Sequence, residues 1–153
     1  MIEQYEINLA VTGEVSHIAE MSRDMIEQGL GWRWTPKRIL TSLQDRDTNV
    51  VVARDNRLLA GFAIMKYFRE EAHLMLLAVS DAYRRKGIGT ALIAWLEHTA
   101  LIAGTGCIYL ETRRNNKVAR RFYRSLGYVE IRPLHGYYQG REDAIQMGKD
   151  LWA

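Results

Sequence analysis

Leu74-Met-Leu-Leu-Ala-Val-Ser-Asp-Ala-Tyr-Arg-Arg-Lys-Gly-Ile-Gly-Thr-Ala-Leu-Ile93 is the stretch from which the rest of the chain is read. Six apolar residues open it, the pattern of a strand buried on both faces. Ser80 and Asp81 break the run, and Arg84-Arg85-Lys86-Gly87-Ile88-Gly89 leads directly into a helical pattern. The first N–H groups of a helix lack intrahelical partners, and the helix dipole favours negative charge there. Glycines at 87 and 89 let an anion approach the backbone closely. Two readings fit these residue types, a diphosphate site and a solvated basic turn.

Two familiar nucleotide signatures are missing. No Gly-x-x-x-x-Gly-Lys-Ser/Thr occurs, and Leu92 stands where Gly-x-Gly-x-x-Gly needs its third glycine. The pattern present is Arg84-x-x-Gly87-x-Gly89, followed by Ala91-Leu92. It resembles the coenzyme A pyrophosphate loop of the GNAT superfamily of N-acetyltransferases, including the preceding apolar strand. The resemblance implies a cofactor site over Arg84, Arg85, Lys86, Gly87, Ile88, Gly89 and Thr90. It also implies that the backbone of Leu77, Ala78 and Val79 pairs with the pantetheine arm.

The second half extends the match. Leu110-Glu111-Thr112-Arg113-Arg114-Asn115-Asn116, then Ala119, Tyr123 and Leu126-Gly127-Tyr128, resembles the family's Asn-x-x-Ala-x-x-x-Tyr-x-x-x-Gly-Phe/Tyr segment. The similarity is greatest to the ribosomal-protein-alanine branch, which acetylates protein N-termini. Tyr137-Tyr138, Gly140-Arg-Glu-Asp-Ala144 and Met147 resemble that branch's C-terminal hairpin. The match covers about residues 72 to 150; the first half agrees in element order only. One departure concerns the hairpin, whose tip between Tyr138 and Arg141 holds only Gln139 and Gly140.

The element order fits. Residues 5–11 read as a strand, Val15 to Ile26 recur at helical spacing, 29–34 is a loop, and Thr35-Pro36 starts a second helix. Residues 49–53 and 58–68 form a hairpin through the turn 54–57. The helix after Gly89 carries Ile88, Leu92, Trp95, Leu96, Thr99 and Ile102 as its inner stripe and stops at Gly104. Residues 107–112 form the next strand, making a β–α–β unit with parallel strands. Asn116 caps a helix with Val118, Ala119, Phe122, Tyr123 and Leu126 inward, and Gly127 ends it. Residues 128–132 and 144–151 close the sheet across the turn-rich stretch 135–141. The expected fold is a single α/β domain of three layers. As the resemblance implies, its sheet is mixed and mostly antiparallel, with splayed parallel central strands and helices on both faces.

Composition sets bounds. A chain of 153 residues, 48% apolar, suits one domain with one substantial core. No stretch approaches the roughly 18 to 20 apolar residues of a membrane span, and the N-terminus lacks signal-peptide character. The expectation is a cytoplasmic protein, monomer or homodimer, without membrane or nucleic-acid partners. Cys107 alone cannot form an internal disulfide, and the widely spaced histidines 17, 73, 98 and 135 predict no metal site. Nine of 21 Lys and Arg lie at 84–86, 113, 114, 117, 120, 121 and 124, a bias that suits a phosphorylated cofactor.

By resemblance, Glu111 is the general base and Tyr123 the acid that protonates the coenzyme A thiolate. Asn116 and Ala119 lie along the pantetheine. Plainer roles compete: Glu111 paired with Arg113 or Lys117, Tyr123 packed like Phe122, Asn116 only capping. An oxyanion donor is expected at the Val79 N–H. Trp32 and Trp34 either wall the acceptor pocket or cover the core edge; Tyr137 and Tyr138 are acceptor-site residues by resemblance. Near pH 7 an α-amine of pKa about 8 is neutral about a tenth of the time and a lysine of pKa about 10.4 under a thousandth, a gap of about 3 kcal/mol. The expected reaction is acetyl transfer from acetyl-CoA in a ternary complex to an N-terminal α-amine. The alternatives are a small-molecule amine as acceptor, or a coenzyme A-binding sensor without turnover.

Overall fold

A computed structural model describes residues 5–153. Its seven strands are β1 (Glu6–Leu9), β2 (Thr48–Asp55), β3 (Leu58–Tyr67), β4 (Glu71–Val79), β5 (Cys107–Arg113), β6 (Val129–Tyr138) and β7 (Glu142–Asp150). Four α-helices, α1 (Val15–Met21), α2 (Pro36–Gln44), α3 (Ile88–Ile102) and α4 (Lys117–Ser125), complete it. The strands form one sheet in the order β1-β2-β3-β4-β5-β7-β6. Only β4 and β5 pair in parallel; every other neighbouring pair is antiparallel. That parallel pair is the β–α–β unit expected from the sequence, with α3 as its crossover.

Two apolar cores lie on the two faces of the sheet. Leu74, Ile88, Leu92, Leu96, Ile108, Leu110 and Tyr123 belong to one, built under α3 and α4. Ile18, Ile39, Val50, Val52, Phe62, Ile64 and Leu76 belong to the other, under α1 and α2. β2 and β3 are buried almost throughout because both faces are covered.

β4 departs from the expected doubly buried run. Its burial alternates, and only Ala72, Leu74, Leu76 and Ala78 are buried. The cause is a bulge: Met65 lies opposite Leu74 but Ile64 opposite Leu76, leaving Met75 as the extra residue. A bulge inserts one residue and turns the following side chains over. Leu74 therefore faces the α3 core, as do Leu77 and Val79 beyond the bulge, whereas Leu76 and Ala78 face α1 and α2. Leu77 and Val79 stay half-buried because β5 has left their side of the sheet.

Smaller corrections concern faces and ends. The inner stripe of α3 is Ile88, Leu92, Ile93, Leu96 and Ala100; Trp95 and Thr99 are half-buried, and Ile102, 75% exposed, faces solvent. Val118 is also exposed, one turn before the buried Tyr123. Residues 22–26 widen α1 into a turn of π-helix. Pro36 takes the first position of α2, but the Thr35 side chain makes no capping bond. The turn-rich stretch 135–141 is mostly strand, with Gly136 at φ 64° and the tip confined to three residues. The β2–β3 turn narrows to Asn56-Arg57, with Asn56 at φ 57°.

Gly61, opposite Val79, shows how tightly the end of β4 is held. A Cβ there would lie 2.8 Å from the Ala78 carbonyl and 3.4 Å from Ile88 and Leu92. We predict that Gly61→Ala destabilises the fold by about 2 kcal/mol through overpacking, measured by urea unfolding. Gly13→Ala, where nothing lies within 4 Å, stays within about 0.5 kcal/mol of the parent.

Candidate active site

The site begins where β4 and β5 part. Their pairing runs only from Glu71 opposite Cys107 to Leu74 opposite Leu110. β4 continues to Val79 and β5 to Arg113, each held by its other neighbour, so a wedge opens between them. Ser80 N donates to Ala60 O at 2.8 Å. In an antiparallel ladder alternate residues bond to a given neighbour, so Val79 and Leu77 turn their N–H groups away from β3, into the wedge.

The basic turn caps the wide end of this wedge. Arg85 and Gly87 both have positive φ, 61° and 79°, which folds the backbone so that successive N–H groups converge. Gly87 is the N-cap of α3 and offers no side-chain bond to the first turn. A Cβ at Gly87 would meet nothing within 4 Å, whereas one at Gly89 would come 3.2 Å from the Phe122 ring. The turn therefore presents uncapped donors over open space, and Gly89 lets α3 approach α4. Arg84, Arg85 and Lys86 are exposed around it, with Arg84 also paired to Asp81 at 2.9 Å. Ile88 is buried, so only its backbone faces an incoming anion; Thr90 is exposed.

Asn116 starts the other wall. Its Oδ1 accepts from Ala119 N at 3.1 Å, the expected cap, and Gly127 ends α4 at φ 95°. Tyr123 is buried between Phe122 and Tyr128, with ring centroids 5.1 and 5.8 Å away. Burial alone raises its pKa well above the usual phenol range. Thr112 Oγ1 is buried without a partner among the described residues, one position beyond Glu111. These features suit a ligand with an anionic end at the turn and polar atoms along the wedge.

On the opposite face of β5 stands Glu111, its side chain 7% exposed. Neither expected cation holds it. Arg113 instead binds Glu142 at 3.0 Å and donates to the carbonyls of Ile26 and Gln28, both at 2.7 Å. The partners of Glu111 are His73, whose Nε2 lies 2.6 Å from Oε1, and Tyr137, whose hydroxyl donates to Oε1 at 3.0 Å. Sequence reading passed over His73. Its signal was the parallel register: His73 lies opposite Tyr109, two residues before Glu111 and so on the same face.

Burial, then the Glu111 charge and its hydrogen bond, push Tyr137 up to about 12. Tyr138 is raised further by burial, Tyr137 and Glu111, against an opposing pull from Arg113. Trp32 and Trp34 make their contacts elsewhere. Trp32 Nε1 donates to Ala19 O at 3.2 Å, and the Trp34 ring packs on the α1–α2 core under Arg38, 3.7 Å away. An open cleft of about 490 Å³ lies outside the wedge, lined by Arg114, Asn115, Arg120, Arg141, Glu142 and Asp143. Among the described residues no three His, Cys, Asp or Glu side chains cluster as metal ligands, and no helix is long and apolar enough to cross a membrane.

A family model described as acetyltransferase (GNAT) family matches residues 16–128, well over half of the chain. The chain belongs to that family. The E. coli K12 [ribosomal protein bS18]-alanine N-acetyltransferase is 34% identical over 117 residues, covering 74% of this chain and 78% of that protein. The crystal structure of the E. coli ribosomal-protein-S18-alanine N-acetyltransferase superposes with a TM-score of 0.81 at 28% identity, covering 97% of this chain and 94% of that one. Arabidopsis thaliana NAA60 in complex with acetyl-CoA shares the fold, with a TM-score of 0.84 at 18% identity and coverage of 98% and 100%. GNAT membership makes this chain an N-acetyltransferase with the mixed sheet expected of the family.

The raised tyrosines give a pH prediction. Burial raises the pKa values of Tyr123, Tyr128, Tyr137 and Tyr138 above that of a free phenol, about 10. Folding therefore favours the neutral phenols. Their contribution is complete below about pH 10 and is lost as pH rises through the folded values. Thermal melts should be level from about pH 8 to 9.5 and fall steeply above about pH 10. In Tyr123→Phe the alkaline fall should be shallower; an identical slope contradicts the assignment.

Proposed function

We propose that this enzyme transfers the acetyl group of acetyl-CoA to the α-amine of a protein or peptide N-terminus, in a ternary complex. The observation that carries the reading is Glu111. Its two partners both sit on Oε1, which leaves Oε2 to accept from an incoming amine. Support for the acceptor class comes from the E. coli relative, named for a ribosomal-protein alanine. An α-amine also avoids most of the deprotonation cost a lysine carries. Such an acceptor suits a cytoplasmic enzyme.

Acetyl-CoA, when bound, supplies the acetyl group as a thioester already activated toward an amine. Arg84, Arg85, Lys86 and the backbone of Gly87, Ile88, Gly89 and Thr90 would hold its diphosphate. The backbone of Leu77 and Val79, together with Asn116 and Ala119, would hold the pantetheine. Ala78 lies between Leu77 and Val79 with its backbone turned to Phe62 of β3 and its side chain in the other core, so it shapes the strand without reaching the ligand. The Val79 N–H is a fixed donor for an oxygen gaining negative charge within the wedge.

Glu111 takes a proton from the amine at Oε2, and His73, whose Nε2 lies 2.6 Å from Oε1, holds the carboxylate in place. Tyr137 fixes the carboxylate from the other side and remains a donor, because its pKa of about 12 keeps it protonated. Tyr123, kept neutral by burial, would offer its hydroxyl proton to the departing sulfur of coenzyme A and regain one from solvent. Tyr138 stands between the two halves, within electrostatic reach of both Glu111 and Tyr123. Tyr137 and Tyr138 border the acceptor side, whereas Trp32 and Trp34 cover the edge of the α1–α2 core.

Turnover of acetyl-CoA measured in parallel against N-terminal peptides and small amines tests the acceptor class, with peptides expected to be the better substrates. Glu111→Gln should lower kcat by about 10²- to 10⁴-fold, the span of general base catalysis, and Tyr123→Phe by about 10²-fold. The KM for acetyl-CoA should move little in Glu111→Gln. Unchanged rates in both variants would overturn the mechanism.

A further inference from the structure

One buried polar group at the wedge is left unbonded. Thr112 is 6% exposed, and among the described residues its Oγ1 has no hydrogen-bond partner and is shut off from solvent. A hydroxyl carries one donor and two acceptor sites. Leaving one dehydrated and unbonded is costly, and such groups are few in folded proteins. Packing gives no reason for it. Valine has nearly the same branched shape, suits a strand as well and has no hydroxyl to satisfy.

The place of Thr112 in the sheet shows where a partner can come from. It follows Leu110, the last residue of β5 paired with β4, by two positions and so lies on the same α3-side face. Across the parting, the bulge at Met75 turns Leu77 to that face as well. Counted from the pair Leu74 and Leu110, with Met75 set aside as the extra residue, Leu77 stands level with Thr112. The other sides of Thr112 are closed. Its strand neighbour on β7 is Ile145, and α4 follows a tight turn in which Asn116 N donates to Arg113 O at 2.9 Å. Only toward β4, where no ladder ties the strands, can the wall yield and bring a ligand against the hydroxyl. Such a ligand finds the Leu77 N–H on one wall and the Thr112 hydroxyl on the other.

We propose that Thr112 is a coenzyme A contact, its hydroxyl donating to an amide carbonyl of the pantetheine arm at the level of Leu77. This rests on the placement of the arm in the wedge given above and extends it to a side chain of β5. Most hydrogen bonds formed on binding replace bonds to water, so their net contribution is small. The Thr112 hydroxyl has no water to give up, and its bond to the arm is gained nearly whole. The penalty borne by the free chain is relieved when the arm is in place. Cofactor affinity and the stability of the free protein therefore respond to this hydroxyl in opposite directions.

The test compares whole wild-type protein with Thr112→Val and Thr112→Ser, by calorimetric titration with coenzyme A and by thermal melts without it. Thr112→Val should bind coenzyme A about tenfold more weakly, the scale of one bond to a group already stripped of water. Free Thr112→Val should nevertheless melt about 2 to 4 °C above wild type, because its side chain leaves nothing unbonded. Thr112→Ser keeps the hydroxyl and should bind within about threefold of wild type. A hydroxyl that served the fold alone would give the reverse pattern, a valine variant that melts lower and binds normally. Binding by Thr112→Val within about twofold of wild type, a serine variant as weak as the valine one, or a melting temperature of free Thr112→Val below that of wild type overturns the proposal. Failure of the cofactor placement shows separately, as wild type that does not take up coenzyme A, and the proposal falls with it.

Discussion

The parting of β4 from β5 after Leu74 and Leu110 is the constraint on which the rest depends. Each strand keeps a full ladder on its outer side, so the sheet does not come apart; only the inner edges lose their pairing. Backbone groups left without a ladder inside a protein must find other partners or bear a cost of about 1 to 3 kcal/mol each. The fold supports such edges because β3 and β7 hold the two strands from outside, while α3 and α4 span the α3-side face. The bulge at Met75 then sets Leu77 and Val79 on the α3 side, beside the opening.

Different groups flank the wedge on the two faces of the sheet. The basic turn, α4 and Tyr123 belong to one face of the sheet; Glu111, Tyr137 and the hydrogen-bonded pair Gly31 and Gln139 belong to the other. In the proposed reaction the cofactor and the acceptor therefore meet through the sheet, each with its own binding surface. Proton chemistry divides in the same way, with Glu111 and His73 on the acceptor side and Tyr123 on the cofactor side. The cluster of raised tyrosines follows from packing phenols around a carboxylate at the end of a half-closed sheet.

Much of this was legible in the sequence where one residue type does one local job. Gly87 and Gly127 sit at positive φ where a helix starts and stops, Asn116 caps α4 through its own side chain, and the β–α–β unit follows from periodicity. What escaped depends on register between distant segments. His73 reads as a lone histidine until the parallel pairing puts it beside Glu111. The hydrogen bonds between the Gln139 side chain and the Gly31 backbone, both 2.9 Å, join residues that no local pattern relates. Ile102 and Val118 were assigned inward by spacing, yet each lies where its helix passes the edge of the core. The bulge is likewise invisible in a uniformly apolar run.

Residue-resolved amide hydrogen exchange, without and with coenzyme A, tests the wedge most directly. Leu74 should be slow in both states. The amides of Leu77, Val79 and Gly89 should exchange fast in the free protein and slow markedly when coenzyme A is added. Leu77 and Val79 already protected in the free protein, or unmoved by coenzyme A at saturation, would contradict the account.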